Sequence, residues 1–278
     1  MKPVAVWVLA GSVAAVVFAG EQIPAHDLGV DEIVEKNVEA RGGLDAWRKV
    51  QTMIWSGHVD SANAPAPDLP FVLAMKRPNK TRFEVTVFNQ KSVRVFDGKQ
   101  GWKLGPNGMG SATPRPYSMD EAMSARDEQV IDGLLIDHEA KGVTVTLEGK
   151  DQVGGRDAYR LAAKLPSGVI RHVWIDAQTF LDVQVDHQVR TPRGQTVVVE
   201  VNYSDFRSVE GLQIPLEIES GAAASDKKDK LTIDKVSLNP ALDDGIFTRP
   251  APPQMHRKPV SIDVDASPAL PGAGYPSP

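Results

Sequence analysis

The sequence contains no cysteine, which removes disulfides, thiolate nucleophiles and cysteine-ligated zinc from consideration. It also lacks an HExxH pair, a GxSxG elbow and a Walker-type glycine loop, so three common catalytic scaffolds are missing. Positive charge is not in excess. The net charge is −5, which gives no electrostatic footprint for nucleic acid or for an anionic membrane. Beyond residue 19 no run is apolar enough to cross a bilayer. A chain of 278 residues without disulfides must therefore rest on a hydrophobic core, and 41% hydrophobic residues supply one.

The one long apolar run, Val4–Phe18, follows Lys2 and ends in Val17-Phe18-Ala19. This is the pattern of a secretory signal peptide cleaved after Ala19. Residues 20–29 then form a polar lead and residues 30–249 a single folded domain. From Pro250 to Pro278 the chain carries eight prolines and few large apolar side chains, which predicts a disordered tail.

Within the domain, Phe71–Leu104 sets the pattern. Phe83, Val85 and Val87 alternate with Arg82, Glu84 and Thr86, the period of two that a half-buried strand requires. Turn residues at Pro78-Asn79, Asn89-Gln90 and Asp97-Gly98 divide the stretch into an antiparallel meander. Strand runs are also expected at Thr52–Asp60 and Phe71–Met75, joined by a rim loop holding Pro65, Pro67 and Pro70. More follow from Val143 onward: Tyr159–Leu165, Ile170–Ile175, Phe180–Val189, Val197–Tyr203, Leu212–Ile218 and Lys230–Leu238. A hairpin pairing Ile175 with Phe180 would place Ile170, His172 and Trp174 on one face with Val183 and Val185. The alternation changes phase between Ile233 and Val236, which predicts a bulge near Asp234.

Helical periodicity is limited to three places. Val30, Val34 and Val38 give an apolar stripe that Gly42-Gly43 ends. Leu44, Trp47 and Val50 mark a short second helix. Ser118 and Glu121 form a capping box that opens a segment to about His138, with Met119, Met123, Val130 and Leu134 on one stripe. Gly133 is a point at which that segment bends or splits. The expected class is α+β, mainly β: one strongly curved antiparallel sheet of about ten or eleven strands, covered by helices.

Candidate chemistry is sparse. His172 and His187 are the only histidines that the strand reading brings near each other. They would lie on one face but about 13 Å apart at ~3.3 Å per residue, too far to share a metal. Asp176, Asp182 and Asp186 read as a solvated rim, and Gly154-Gly155 as a hairpin turn. Nothing assembles a nucleophile, a base and an oxyanion site, so no enzyme, cofactor or metal is expected. In Lys76-Arg77-Pro78-Asn79, proline holds Arg77 out of helical conformation. A guanidinium fork there would suit the free carbonyls of a helix end.

The combination of Lys76-Arg77-Pro78-Asn79, Val95-Phe96-Asp97-Gly98-Lys99 and Trp102 resembles the periplasmic outer-membrane lipoprotein-sorting (LolA-like) superfamily. Gly155–Leu161, Ile175–Leu181, Tyr203–Arg207 and Gly211–Pro215 are similar to the same family, in the same order. The resemblance covers about Asp31–Pro252; the Pro-rich loop 64–70 and the tail depart from it. It implies an open, incomplete β-barrel with lid helices and an apolar cavity for acyl chains of a lipoprotein or lipid. It also implies a periplasmic location and inner-membrane donor and outer-membrane acceptor proteins, with the carrier itself a monomer. Arg77 matches the family arginine that bonds lid-helix carbonyls in the empty form. The candidate ligand-binding residues are Arg77, Trp55, Phe83, Val85, Val87, Met119, Met123, Val130, Leu134 and Trp174. The alternative is a regulatory or sensory module of the same fold that binds another protein and carries no lipid.

Overall fold

The computed structural model describes residues 28–251 except 62, 63, 65, 106–112 and 191–193. The expected signal peptide and nearly all of the Pro-rich tail lie outside the described residues. Two helices open the domain, α1 (Val30–Ala40) and α2 (Leu44–Lys49). Ile33 and Val34 bury the stripe of α1. The chain reverses at Gly42 and Gly43, both at positive φ. A side chain at Gly42 would meet the Gly211 carbonyl oxygen at 2.5 Å, so glycine is required twice over there.

Six strands follow: β1 (Thr52–Asp60), β2 (Leu69–Lys76), β3 (Lys80–Val87), β4 (Gln90–Phe96), β5 (Gly101–Leu104) and β6 (Arg115–Pro116). After helix α3 (Met119–Asp127) come seven more: β7 (Thr144–Val153), β8 (Arg156–Lys164), β9 (Ile170–Asp176), β10 (Asp182–Arg190), β11 (Thr196–Val209), β12 (Leu212–Ala222) and β13 (Asp229–Leu238). They form one antiparallel sheet in the order β6-β5-β4-β3-β2-β1-β13-β12-β11-β10-β9-β8-β7. Among the described residues, thirteen strands replace the ten or eleven expected, and the sheet stays open because β6 and β7 each pair on one side only. The chain thus runs outward from β1 to one edge, passes through α3 and residues 128–143, and restarts at the other edge. Pro70, expected in a rim loop, is instead within β2 opposite His58.

One face of the sheet packs on the helical layer. Met53, Met75, Leu212 and Ile214 meet Trp47, Ile131 and Ile136, while Leu161, Val173 and Ile175 meet Ile33, Leu134 and Leu135. This is the inner face. On the outer face a short 3-10 helix, Asp244–Phe247, buries Phe247 against Ala74 and Val95.

The expected bulge is present. Ser56 pairs with Lys235 and Gly57 with Ile233, which leaves Asp234 as the extra residue. The β9–β10 register differs from expectation: Ile175 pairs with Asp182 and Trp174 with Gln184. Asp176 is the reason. Its Oδ1 accepts from the backbone N–H groups of Gln178 and Thr179 and from the Thr179 hydroxyl, building a turn that carries Phe180 at φ 57°. A register shift between Asp182 and Gln184 then sets Val183 beside Trp174 and Ala158 in a separate outer cluster. His172 and His187 therefore do not share a face. His172 bonds Asp186 on the outer side, and His187 looks inward with Arg171.

The segment opened by the capping box is also shorter than expected. Ser118 accepts from the Glu121 N–H and Glu121 bonds the Ser118 N–H. The helix stops at Asp127, because Glu128 is extended, and residues 130–142 continue as turns with Gly133 at φ 73°.

Two outcomes follow. A Cβ at Gly57 would lie 1.9 Å from the Thr232 carbonyl oxygen at the bulge. Gly57→Ala should lower unfolding free energy by at least about 1–3 kcal/mol, the usual cost of overpacking, in a urea titration; an unchanged midpoint would show that the bulge can relax. Burial opposes ionisation of Glu121, yet hydrogen bonds from Lys103 and the Ser118 N–H, with Arg94, bring its pKa to about 2 from 4.5. A depressed carboxylate stabilises the fold above its unfolded value, and that contribution is lost as pH falls from 4.5 toward about 2. Glu121→Gln should remove this part of the acid dependence of the melting temperature and leave the rest.

Candidate functional site

Residues 128–143 lie across the inner face and are fastened by charge. Asp132, 3% exposed, accepts from Arg77 Nη2 at 2.6 Å and from Lys141 Nζ at 2.6 Å. Its carbonyl accepts from Arg41 Nη1 at 2.9 Å. Lys141 also donates to the carbonyls of Gly133 and Ile136. Burial lowers the Lys141 pKa, and Asp132 pulls it back up. Arg41 forms a second pair with Asp182 at 3.0 Å and lies over the Trp47 ring, 4.7 Å from its centroid.

The motif Lys76–Asn79 terminates three other pieces of backbone. Arg77 Nε donates to the Val50 carbonyl and Nη2 to that of Trp47, both at the end of α2, where helix carbonyls run short of intrahelical partners. Asn79 Nδ2 donates to the carbonyls of Ala125 and Arg126 at the end of α3. Lys76 reaches the Leu242 carbonyl. The α3 carbonyls thus go to Asn79, two residues from the arginine assigned to lid-helix carbonyls, while Arg77 grips α2 and the Asp132 carboxylate.

Between the inner face and this lid is a chamber of about 350 Å³, within the range of small-molecule sites. Trp55, Leu73, Met75, Val173, Ile214 and Ile218 line it from the sheet, and Val130, Ile131 and Leu134 from the lid. One region of the wall is polar, with Arg41, Asp182, Arg171, Glu128 and Tyr203. Burial, before any neighbouring charge, pushes the Tyr203 phenol up, so it stays protonated.

Of the candidate residues, Trp55, Val130 and Leu134 line the chamber, and Arg77 binds its lid. Phe83 and Val85 share the inner face through the register Leu73↔Phe83 and Phe71↔Val85, with Phe83 against Phe71 at 5.7 Å between centroids. They and Val87 lie outside the chamber wall. Three expectations need correction. Trp174 is on the outer face, bonded to Asp151, because the β10 bulge reverses the assumed phase. Met119 is 79% exposed, since α3 ends before the lid and its stripe does not continue across the chamber. Met123 lines a second groove beside the chamber, with Val169, His187 and Val189.

Arg41, Asp132, Arg171 and Tyr203 were not among the candidate residues read from the sequence. Arg171 had a usable signal, a charge in phase with Val173 and Ile175. Asp176 and Asp182, expected on a solvated rim, are instead a buried turn cap and a chamber-wall ion partner.

No family model matches the sequence, and no curated protein does. Solved structures do match. A LolA superfamily protein from Nitrosomonas europaea is similar, with a TM-score of 0.52, 15% identity, and coverage of 80% of this chain and 99% of that one. The fold is LolA-like. A DUF1329 family protein from Desulfovibrio piger is similar at a TM-score of 0.50, with 14% identity and coverage of 80% and 98%. No helix among the described residues is long and apolar enough to cross a membrane.

The Asp132 cluster predicts an order of stabilities. Asp132→Ala leaves buried Lys141 and partly buried Arg77 without their anion and should cost about 3–5 kcal/mol. Arg77→Leu leaves Asp132 paired to Lys141 and should cost less. Guanidinium titrations of both variants measure this, and equal losses would show that Asp132 does not act as the hub.

Proposed function

We propose that this chain is an exported, periplasmic carrier that shields an acyl chain of a lipoprotein or lipid. Such a carrier would take cargo from an inner-membrane donor and pass it to an outer-membrane acceptor. The observation that carries this reading is an apolar chamber roofed by a lid whose fastening is polar. The LolA-like fold and the N-terminal pattern of Lys2 and Val4–Phe18 agree with it.

The energetics suit reversible binding. Burying acyl chain contributes about 0.8 kcal/mol per methylene, so a dozen methylenes supply on the order of 10 kcal/mol. Cargo held that firmly needs a competing state if it is to be released. The lid supplies one, because entry must displace groups fastened through Arg77 and Asp132. Ligand then selects the open form only by the margin between these two terms.

The test is titration with a fluorescent acyl probe. Arg77→Leu should bind about tenfold more tightly or better, since each lost charge-assisted bond is worth ~1.5–3 kcal/mol to the closed form. Val130→Glu should weaken binding by a similar factor while preserving the far-ultraviolet spectrum. Wild-type affinity in both variants would remove the chamber and its lid from the account.

A further inference from the structure

Resting on the carrier reading, we propose that the polar region of the chamber is a headgroup subsite centred on Arg171. Its ligand is a single-chain amphiphile with an anionic head, carboxylate or phosphate.

Arg171 is 6% exposed and lines both the chamber and the second groove. Its Nη1 meets Glu128 Oε2 at 3.2 Å, and its Nε is buried with no hydrogen-bond partner. A buried guanidinium with spare donors is suited to a planar or tetrahedral anion. The present partner is a poor match for it. The Glu128 side chain is 48% exposed, and the residue is the extended break between α3 and the lid. Glu128 thus stands where a ligand's anion would bind, on a segment that can swing aside.

The surrounding charge agrees. The fields of Asp182, Glu128, Arg41 and Arg171 converge on buried Tyr203, two positive and two negative. Asp182 is committed to Arg41 at 3.0 Å and to Asn37 Nδ2 at 3.1 Å. With Glu128 displaced, the balance becomes one net positive charge, which one headgroup restores. His187, beside the pair in the second groove, has its pKa lowered by burial, which outweighs the opposing charge of Glu128.

The arrangement also orders a ligand along the two cavities. Val173 and Val185 continue inward from Arg171 on paired strands, toward Trp55 and Leu73. Outward, Met123, Val169 and Val189 are exposed apolar residues bordering the groove. A chain entering across them would reach the chamber past Glu128 and leave its head at Arg171.

Displacement of a neutral fluorescent acyl ester from the full chain tests this, with laurate, methyl laurate, dodecyl phosphate and inorganic phosphate as competitors. Laurate and dodecyl phosphate should each displace at about tenfold lower concentration than methyl laurate, the worth of one charge-assisted contact. The two acids separate carboxylate from phosphate heads. Inorganic phosphate should displace nothing, and displacement by it would mark a free-anion site and overturn the proposal. Arg171→Gln should bring acid and ester together, whereas Glu128→Gln should favour the acids further. The wild-type ratio decides even if Arg171→Gln fails to fold. Equal displacement by laurate and methyl laurate overturns the headgroup subsite and leaves the carrier reading intact. Displacement by neither overturns both.

Discussion

The buried Asp132 carboxylate holds the closed arrangement together. Taking a carboxylate out of water costs several kcal/mol, which is recovered only when its oxygens are well paired. Here both are, by Arg77 from the end of β2 and by Lys141 from the end of the lid. Arg41 adds a bond to the carbonyl of the same residue. One position therefore ties together the α1 terminus, the β2–β3 turn and the two ends of the lid. Removing Asp132 strands Arg77 and Lys141 together, whereas removing either cation leaves Asp132 with the other. Burial lowers the Lys141 pKa, and the Asp132 carboxylate opposes that shift.

Topology explains why such a fastening is needed. The sheet is two meanders joined only where β1 pairs with β13. Its outer edges, β6 and β7, are linked by covalent chain and not by strand pairing. An antiparallel sheet of this width buries only the face that something covers, and residues 128–143 are that cover for the centre of the inner face. Because they are turns and not a continuous helix, few main-chain hydrogen bonds hold them in place. Side-chain bonds to Asp132, Gly133 and Ile136 take over that task. Arg48, doubly bonded to Asp137 at 2.9 and 2.8 Å, adds an exposed tether.

Local signals in the sequence were legible wherever one physical cause dominated. Alternation located β1 to its ends, the phase change located the bulge at Asp234, and Ser118 with Glu121 located the start of α3. The glycines of the α1–α2 turn and the unusual role of Lys76–Asn79 were equally visible. What failed depended on context. Residues 119–138 have a helical apolar stripe, but an extended Glu128 and a left-handed Gly133 interrupt it. The face assigned to Trp174 depended on a hairpin register that Asp176 overrides by binding three donors in its own turn. Asp182 read as a rim charge, and Asp132 and Arg171 gave no site signal, because Arg41, Arg77 and Glu128 lie far from them in sequence. Arg77 and Asp132 are separated by 55 residues, and Arg41 and Asp132 by 91.

The ion pairs at Asp132 and at Glu128 are unequal, and that inequality would give an opening of the lid a direction. At Asp132 the side chain is 4% exposed and doubly paired, so water cannot easily compensate a broken bond. At Glu128 the carboxylate is 48% exposed and makes one contact at 3.2 Å, so solvent replaces most of what is lost. Under the proposed carrier reading, opening would start at Glu128, next to the second groove, while Asp132 still holds the rest of the lid. A lid that peeled from one side would expose the chamber progressively, so the acyl chain proposed as cargo would cover each apolar residue before the next was uncovered. Only the last step would then break the Asp132 cluster, its cost offset by the cargo chain already buried.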